Sequence, residues 1–354
     1  MPVYGIWNNK GGVGKSYLTF QIAAEYAVQH PDKKILVIDL CPQANSSAML
    51  LGGMASGENV LSEIYSSTPL KTISGYISDR IINPYNSPLS GANYITQINQ
   101  YNRSIPENLF LVVGDEQLEI QSSKVSKAAA PGPHNAWQLV HLWIRDLITD
   151  ITTSWNETNF TVFIDCNPSF SIYTELAMSA SDCLLIPFSA DGSSIRAVRA
   201  VLTLVYGTTN NQRISQQSDF HIESQRWRMS TPKIYMYIGN RLTQMNHSSA
   251  SAFKTIVNSI GKELWDIWNQ NASLFCTHTS NSTPSNRQAF NKMFQYQVND
   301  ANTASVVSGV LGIPITKLTA GSKKLPLSNR NITVNQTQLD KQVPNIKNLI
   351  ENIE

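Results

Sequence analysis

Asn9-Lys10-Gly11-Gly12-Val13-Gly14-Lys15-Ser16 stands between a short apolar run, Val3–Trp7, and a segment of helical spacing, Ser16 to Gln29. A glycine-rich turn joining a strand to a helix is where a phosphate loop belongs. Gly11, Gly12 and Gly14 allow backbone conformations and close approaches that a β-carbon would block, so successive N–H groups can face an anion. The N-terminus of the following helix adds partial positive charge. Lys15 is placed to reach the β- and γ-phosphates of a nucleotide, and the Ser16 hydroxyl to ligate Mg2+. The pattern G-x-x-x-x-G-K-[ST] is not met, because Asn9 occupies its first glycine position and a second lysine, Lys10, precedes Gly-Gly.

Working outward, short apolar runs alternate with helical patterns. Val3–Trp7, Ile35–Ile38, Leu109–Val113, Phe160–Ile164, Cys183–Phe188, Lys233–Ile238 and Ser273–Cys276 read as strands. Most are continuously apolar, as strands buried on both faces of a parallel sheet are. Ser16 to Gln29, His134 to Ile151, Ser193 to Tyr206 and Ser248 to Trp268 read as helices. The expected fold is α/β, a doubly wound and mostly parallel sheet with helices on both faces. No linker divides the chain, so residues 1–354 are read as one nucleotide-binding domain. Within it, 52–108 is an elaborated crossover with short helices, 207–232 is a polar loop bearing Arg213, Arg226, Trp227 and Arg228, and 321–354 is a C-terminal extension.

The loop resembles that of the ParA/MinD family of P-loop ATPases, whose deviant pattern is K-G-G-x-G-K-[ST]. Further matches follow in order. Val37-Ile38-Asp39-Leu40-Cys41-Pro42-Gln43-Ala44-Asn45 is similar to the family's D-x-D-P-Q-x-N motif, and Phe160 to Ser169 to its Walker B segment, with Asp165 at the strand's end. The resemblance implies ATP and Mg2+ as cofactors. It implies a nucleotide site of Lys10, Gly11, Gly12, Val13, Gly14, Lys15, Ser16 and Tyr17, with Asn240, Arg241 and Pro314 at the base. It implies Ser16, Asp39 and Asp165 around the metal, and Lys10, Lys15 and Asp39 in catalysis. In the family the early lysine crosses to the partner's phosphates in an ATP-sandwiched homodimer, a role Lys10 would take. Capping a helix or turn is the other role open to Asn240.

The main departure is Cys41, which stands where the family has a second aspartate that positions the attacking water. A thiol with an ordinary pKa near ~8.5 is mostly neutral and is a weak hydrogen-bond partner. ATP binding and dimerisation are therefore expected to survive while hydrolysis is slow or absent. Another carboxylate or a substrate-side group taking over, or a redox role for Cys41, are the alternatives.

Composition narrows the classes. The chain has 354 residues, 27 basic and 25 acidic side chains, 42% hydrophobic and 15% charged residues. That composition suits a globular protein and excludes charge-driven disorder. No apolar stretch approaches the ~18–20 residues of a membrane span, and Met1–Trp7 carries no basic, signal-like segment. Cys41, Cys166, Cys183 and Cys276 form no C-x-x-C pair, which argues against a zinc ribbon or disulfide framework in a cytoplasmic protein. Residues 1–190 carry 10 basic against 16 acidic side chains, and residues 191–354 carry 17 against 9. The basic half fits an anionic partner. By resemblance the expected function is a ParA-type switch that binds nonspecific double-stranded DNA in its ATP state and positions DNA or a protein cargo. Arg196, Arg199, Arg226, Arg228, Lys254, Lys262, Lys323, Lys324 and Arg330 are the candidate DNA contacts. With the loop at residue 10, no helix-turn-helix domain is expected before it. A MinD-like membrane or scaffold ATPase and a metabolic P-loop synthetase are the competing readings. The first is weakened by acidic Glu351 and Glu354 beside the terminal apolar stripe Ile346, Leu349, Ile350 and Ile353.

Overall fold

The computed structural model describes residues 2–130, 132–189, 191–208, 218–242, 247–278, 283–326 and 331–354. Eight strands form one sheet: β1 (Val3–Ile6), β2 (Lys34–Asp39), β3 (Ile95–Gln97), β4 (Leu109–Val112), β5 (Phe160–Asp165), β6 (Cys183–Phe188), β7 (Lys233–Leu242) and β8 (Gln295–Asn299). Their order is β3-β4-β2-β5-β1-β6-β7-β8, and all neighbours are parallel except the antiparallel edge pair β3–β4. The central strands are the continuously apolar ones, because helices cover them on both sides. This is the doubly wound sheet that the alternating pattern predicts.

One face carries α1 (Lys15–Gln29), α2 (Asn45–Leu50) and α3 (Gly53–Tyr65). The other carries α4 (Ile73–Ile82), α5 (Gln117–Ala129), α6 (Ala136–His141), α7 (Trp143–Ser154), α8 (Ile172–Ala180), α9 (Ser193–Tyr206), α10 (Asp219–Arg226), α11 (His247–Gln270) and α12 (Arg287–Phe294). The chain then returns to the first face with α13 (Thr303–Leu311), a two-stranded hairpin of β9 (Gly321–Lys324) and β10 (Asn331–Val334), and α14 (Gln336–Ile350). Each face has its own apolar core, and the sheet separates the two. Ile346, Leu349, Ile350 and Ile353 of the terminal segment are buried in the core beneath α1.

Three expectations change. Ser273–Cys276 is not a strand: Ala272–Leu274 is a single 3-10 turn, and Phe275 makes one isolated bridge to Ile234. The outer place belongs to β8, Gln-Tyr-Gln-Val-Asn, which is only half apolar because it lies at the sheet edge. The helix expected over 134–151 breaks at Leu142 into α6 and α7. The polar stretch 207–232 contains α10, started by the Ser218 side chain accepting from the His221 N–H. The crossover 52–108, expected to hold short helices, supplies α3, α4 and the edge strand β3.

Candidate nucleotide-binding site

The carboxyl ends of β1, β2 and β5 lie side by side, with Asp39 paired in register with Asp165 and Ile6 with Asp165. Ligands of open α/β sheets bind above such ends. The loop leaving β1 is held from below: Asn8 is fully buried and its amide donates to the Pro187 carbonyl at 2.7 Å. Gly14 has φ 82° and opens α1, where a β-carbon would cost about 1–2 kcal/mol. Gly11 is different. Its φ is not left-handed and a β-carbon there would meet nothing within 4 Å of the protein. A glycine kept beside open space suits a ligand that approaches the backbone closely.

Lys15 is 6% exposed, and its ammonium donates to the Lys10 carbonyl at 3.0 Å and the Asn8 carbonyl at 3.4 Å. Burial pushes its pKa down, opposed by the Asp165 carboxylate. Lys15 is thus a buried cation satisfied by its own loop. The Val13 carbonyl accepts a 2.9 Å hydrogen bond from the Asn240 amide, while Asn240 Oδ1 is buried without a partner. Asn240 therefore braces the loop.

Asp39 and Asp165 are both fully buried, yet their surroundings differ. Asp39 accepts from the Cys41 N–H at 3.0 Å, the Ser47 N–H at 3.0 Å and the Ser47 hydroxyl at 2.7 Å. Burial raises its pKa, and those bonds oppose the rise. Asp165 has no hydrogen-bond partner on either oxygen. Ser16 and Ser46 hydroxyls lie near enough to favour its charge, but without hydrogen-bond geometry. Burial first, and Asp39 second, push it up to about 7. An orphaned carboxylate beside the Ser16 hydroxyl fits a divalent cation, which would supply the missing partner. Among the described residues no cluster of three or more His, Cys, Asp and Glu could hold a metal alone. Phosphate and water would thus provide most of the ligands. Asp39, by contrast, has its oxygens committed to Cys41 and to Ser47 of α2.

Cys41 is 6% exposed, and burial, then Asp39 and Asp165, push its thiol up to about 12. It is a neutral thiol at pH 7, which argues against the redox alternative. Asp115, the nearest further buried carboxylate after β4, is saturated by Thr72, Ser74 and the Gln117 N–H. Its oxygens are committed within the fold.

Lys10 donates to the Ser189 hydroxyl at 2.9 Å and is ion-paired with Asp191, both in the segment after β6. Asp191 is about half exposed. Its slight desolvation works the other way, yet hydrogen bonds from Lys10, Ser193 and Ser189 hold its carboxyl well below the usual carboxylate range. Sequence reading missed Asp191, since 181 residues separate the partners. The other assignments divide. Tyr17 turns its hydroxyl away to Gln342 of α14 at 2.8 Å, so only its backbone in the first turn of α1 can face a ligand. The Arg241 side chain lies outside the described residues. Pro314 follows α13, and the next residue, Ile315, donates its N–H to Gln21 in the second turn of α1 at 2.8 Å. The segment that continues from the strand beside Asn240 is Asn299 to Asn302, where Asp300 accepts from the Asn302 N–H at 2.8 Å. Recognition of β8 would have pointed to it.

Comparison with known proteins agrees with this architecture. A family model described as AAA domain matches residues 1–216. Apo McdA from Cyanothece superposes with a TM-score of 0.58 at 14% identity, covering 100% of both chains. A substituted McdA from Cyanothece in complex with ATP gives 0.58 at 14% identity, covering 100% of this chain and 97% of that one. A putative plasmid partition protein from Borrelia burgdorferi B31 bound to AMPPNP gives 0.51 at 15% identity, covering 99% and 97%. No curated protein sequence matches. The chain belongs to the AAA domain family of P-loop proteins and is a ParA/MinD-like member, with the deviant phosphate loop and the partition-ATPase fold.

Proposed function

We propose that this protein is an ATP–Mg2+-dependent switch that dimerises across its phosphate loops, binds duplex DNA without sequence preference, and positions DNA or a protein cargo. The observation that carries the nucleotide reading is the Asp165 carboxylate, buried and unpartnered beside Ser16 and Lys15 at the mouth of the glycine loop. Bound Mg2+ would neutralise phosphate charge there. Lys15 would hold the β- and γ-phosphates, Gly11 to Gly14 would present backbone N–H groups, and Ser16 and Asp165 would orient the metal's shell. Lys10 must leave Asp191 to reach a partner's phosphates. The ATP and AMPPNP complexes of the structural neighbours support nucleotide binding by this fold.

Hydrolysis is proposed to be slow. The Cys41 thiol is neutral, and Asp39 spends its oxygens on Cys41 and Ser47. Cys41→Asp should raise phosphate release by at least about tenfold, a conservative share of what a positioned base contributes. Fast release in the unaltered protein that Cys41→Ser leaves unchanged would show that another group positions the water.

For DNA, the candidate cations fall on both faces of the sheet. Arg196 and Arg199 on α9 and Lys254 and Lys262 on α11 share one, while Lys323 and Lys324 on β9 lie on the other. Arg199 is held by Glu263 at 2.7 and 2.9 Å, and Arg226 by Glu223 at 3.2 Å. Arg330 lies outside the described residues. The α9–α11 surface, with exposed Arg196, Lys254 and Lys262, is the proposed DNA face. The test is duplex binding in ATP–Mg2+, ADP–Mg2+ and no nucleotide across a salt series. Binding only with ATP that weakens steeply with salt supports the switch, because backbone contacts release counterions. Absence of binding in every state removes the DNA role. The MinD-like alternative loses its lipid-facing element, since the apolar stripe of the terminal segment is buried.

A further inference from the structure

The loop after β2 delivers two consecutive serines to the carboxylate pair, and the fold uses one of them. Ala44, left-handed at φ 49°, turns the chain into α2 directly after Pro42 and Gln43. Asn45, the first helical residue, faces outward, and its amide donates to Gln43 at 3.2 Å. Ser46 and Ser47 are both fully buried. Ser47 is committed: its hydroxyl donates to Asp39 at 2.7 Å and accepts from the Gly114 N–H at 3.0 Å. Ser46 is not. Its hydroxyl lies close enough to Asp39 and Asp165 to favour the charge of both, yet it has no hydrogen-bond partner. Three buried oxygens without a partner thus come together, the Ser46 Oγ and both carboxylate oxygens of Asp165.

We propose that Ser46 is a positioning residue for the divalent cation, its hydroxyl holding a water of the cation's hydration shell on the Asp165 side. This inference rests on the nucleotide reading and extends it from the groups that hold the cation to one that aims its shell. A buried hydroxyl is ordinarily bonded, and one left unbonded inside a site is completed by what binds there. Mg2+ keeps several waters when few side chains reach it, and the wall of the site must supply their partners. On this side the other candidates are spent or weak. Asp39 gives its oxygens to Cys41 and Ser47, and the neutral Cys41 thiol is a poor hydrogen-bond partner. Ser46 is the hydroxyl that remains. Ser16 opens α1 under the phosphates, whereas Ser46 comes from α2, so the two serines reach Asp165 from different elements.

The test measures binding of a fluorescent ATP analogue to the full chain, once in saturating Mg2+ and once in EDTA. The ratio of the two affinities reports how strongly the bound cation is held, independently of turnover. Ser46→Ala should lower that ratio by about tenfold, the lower end of what groups supporting a metal's ligands contribute. Its affinity in EDTA should stay within about twofold of the unaltered protein's. Circular dichroism should show Ser46→Ala melting no lower than the unaltered protein, because the hydroxyl it removes is unbonded. Ser179→Ala is the control. Ser179 is a second buried hydroxyl without a partner, on α8, and its loss should leave the ratio unchanged. The role of Ser46 is overturned, with the nucleotide reading intact, if Ser46→Ala keeps the ratio or loses affinity equally in Mg2+ and EDTA. An equal fall of the ratio in Ser179→Ala overturns it too. An unaltered protein that binds the analogue no better in Mg2+ than in EDTA overturns both the role and the reading beneath it.

Discussion

Asp165 illustrates how much a single buried group can cost when the fold gives it no partner. Its folded pKa, about 7, is raised from an ordinary 3.8, so between those values the folded state binds more protons than the unfolded one. Stability should therefore fall as pH rises from about 4 to 7, with the penalty fully present above the folded pKa. Asp165→Asn removes the unpartnered charge. It is expected to stabilise the nucleotide-free protein at pH 7.5 by about 1–3 kcal/mol and to flatten the pH dependence of Tm. The same variant should lose Mg2+-dependent nucleotide binding. Calorimetry across pH checks the first part, and titration with a fluorescent ATP analogue checks the second. A variant less stable at pH 7.5 than the unaltered protein would show that Asp165 is satisfied within the fold. Asp39 behaves otherwise at the same depth, because Cys41 and Ser47 supply the donors that Asp165 lacks.

Among the elements, α14 is tied to the nucleotide face through a buried glutamine. Gln342 is fully buried. It accepts from the Tyr17 hydroxyl at 2.8 Å and donates to the Asn299 carbonyl at 2.8 Å, linking α14 to α1 and to the end of β8. The helix starts on a reciprocal cap between Asn335 and Gln338. Gln342→Leu keeps the volume but removes both hydrogen bonds. It should destabilise the chain by about 1–3 kcal/mol in urea unfolding, and Gln342→Glu by less if its carboxylate still accepts from Tyr17. The packing of α2 on α3 has a comparable single point. A β-carbon at Gly57 would sit 2.1 Å from the Ala48 carbonyl oxygen, so no side chain fits there without moving the helix that carries Ser46 and Ser47.

For the molecule as a whole, nucleotide should act as a stabilising ligand. At about a hundredfold excess over Kd, ATP–Mg2+ is expected to add about 2.7 kcal/mol and raise Tm by several degrees. Lys15→Ala should abolish the shift without unfolding the protein, since the lysine bonds only to carbonyls of its own loop. An unchanged shift in Lys15→Ala would place the nucleotide elsewhere. The Asn9 to Ser16 run, the apolar strands β1, β2, β5 and β6, and the carboxylates that end β2 and β5 were all legible from the chain alone. Each depends on neighbours within a few residues: glycine conformations, a helix start, and a continuous apolar run that only burial on both faces explains. What lay beyond reach depends on contacts between distant segments. Gln-Tyr-Gln-Val-Asn became a strand because β7 offered it an edge, and this brought the segment Asn299–Asn302 to the side of Asn240. Lys10 met Asp191, and Cys183 met Cys276 closely enough for the first thiol to lower the second to about 7. The two carboxylates looked alike in the sequence. Only the fold decided that Asp39 is satisfied by α2 and Asp165 is left open, because hydrogen-bond donors for a buried group come from whichever backbone the topology brings beside it.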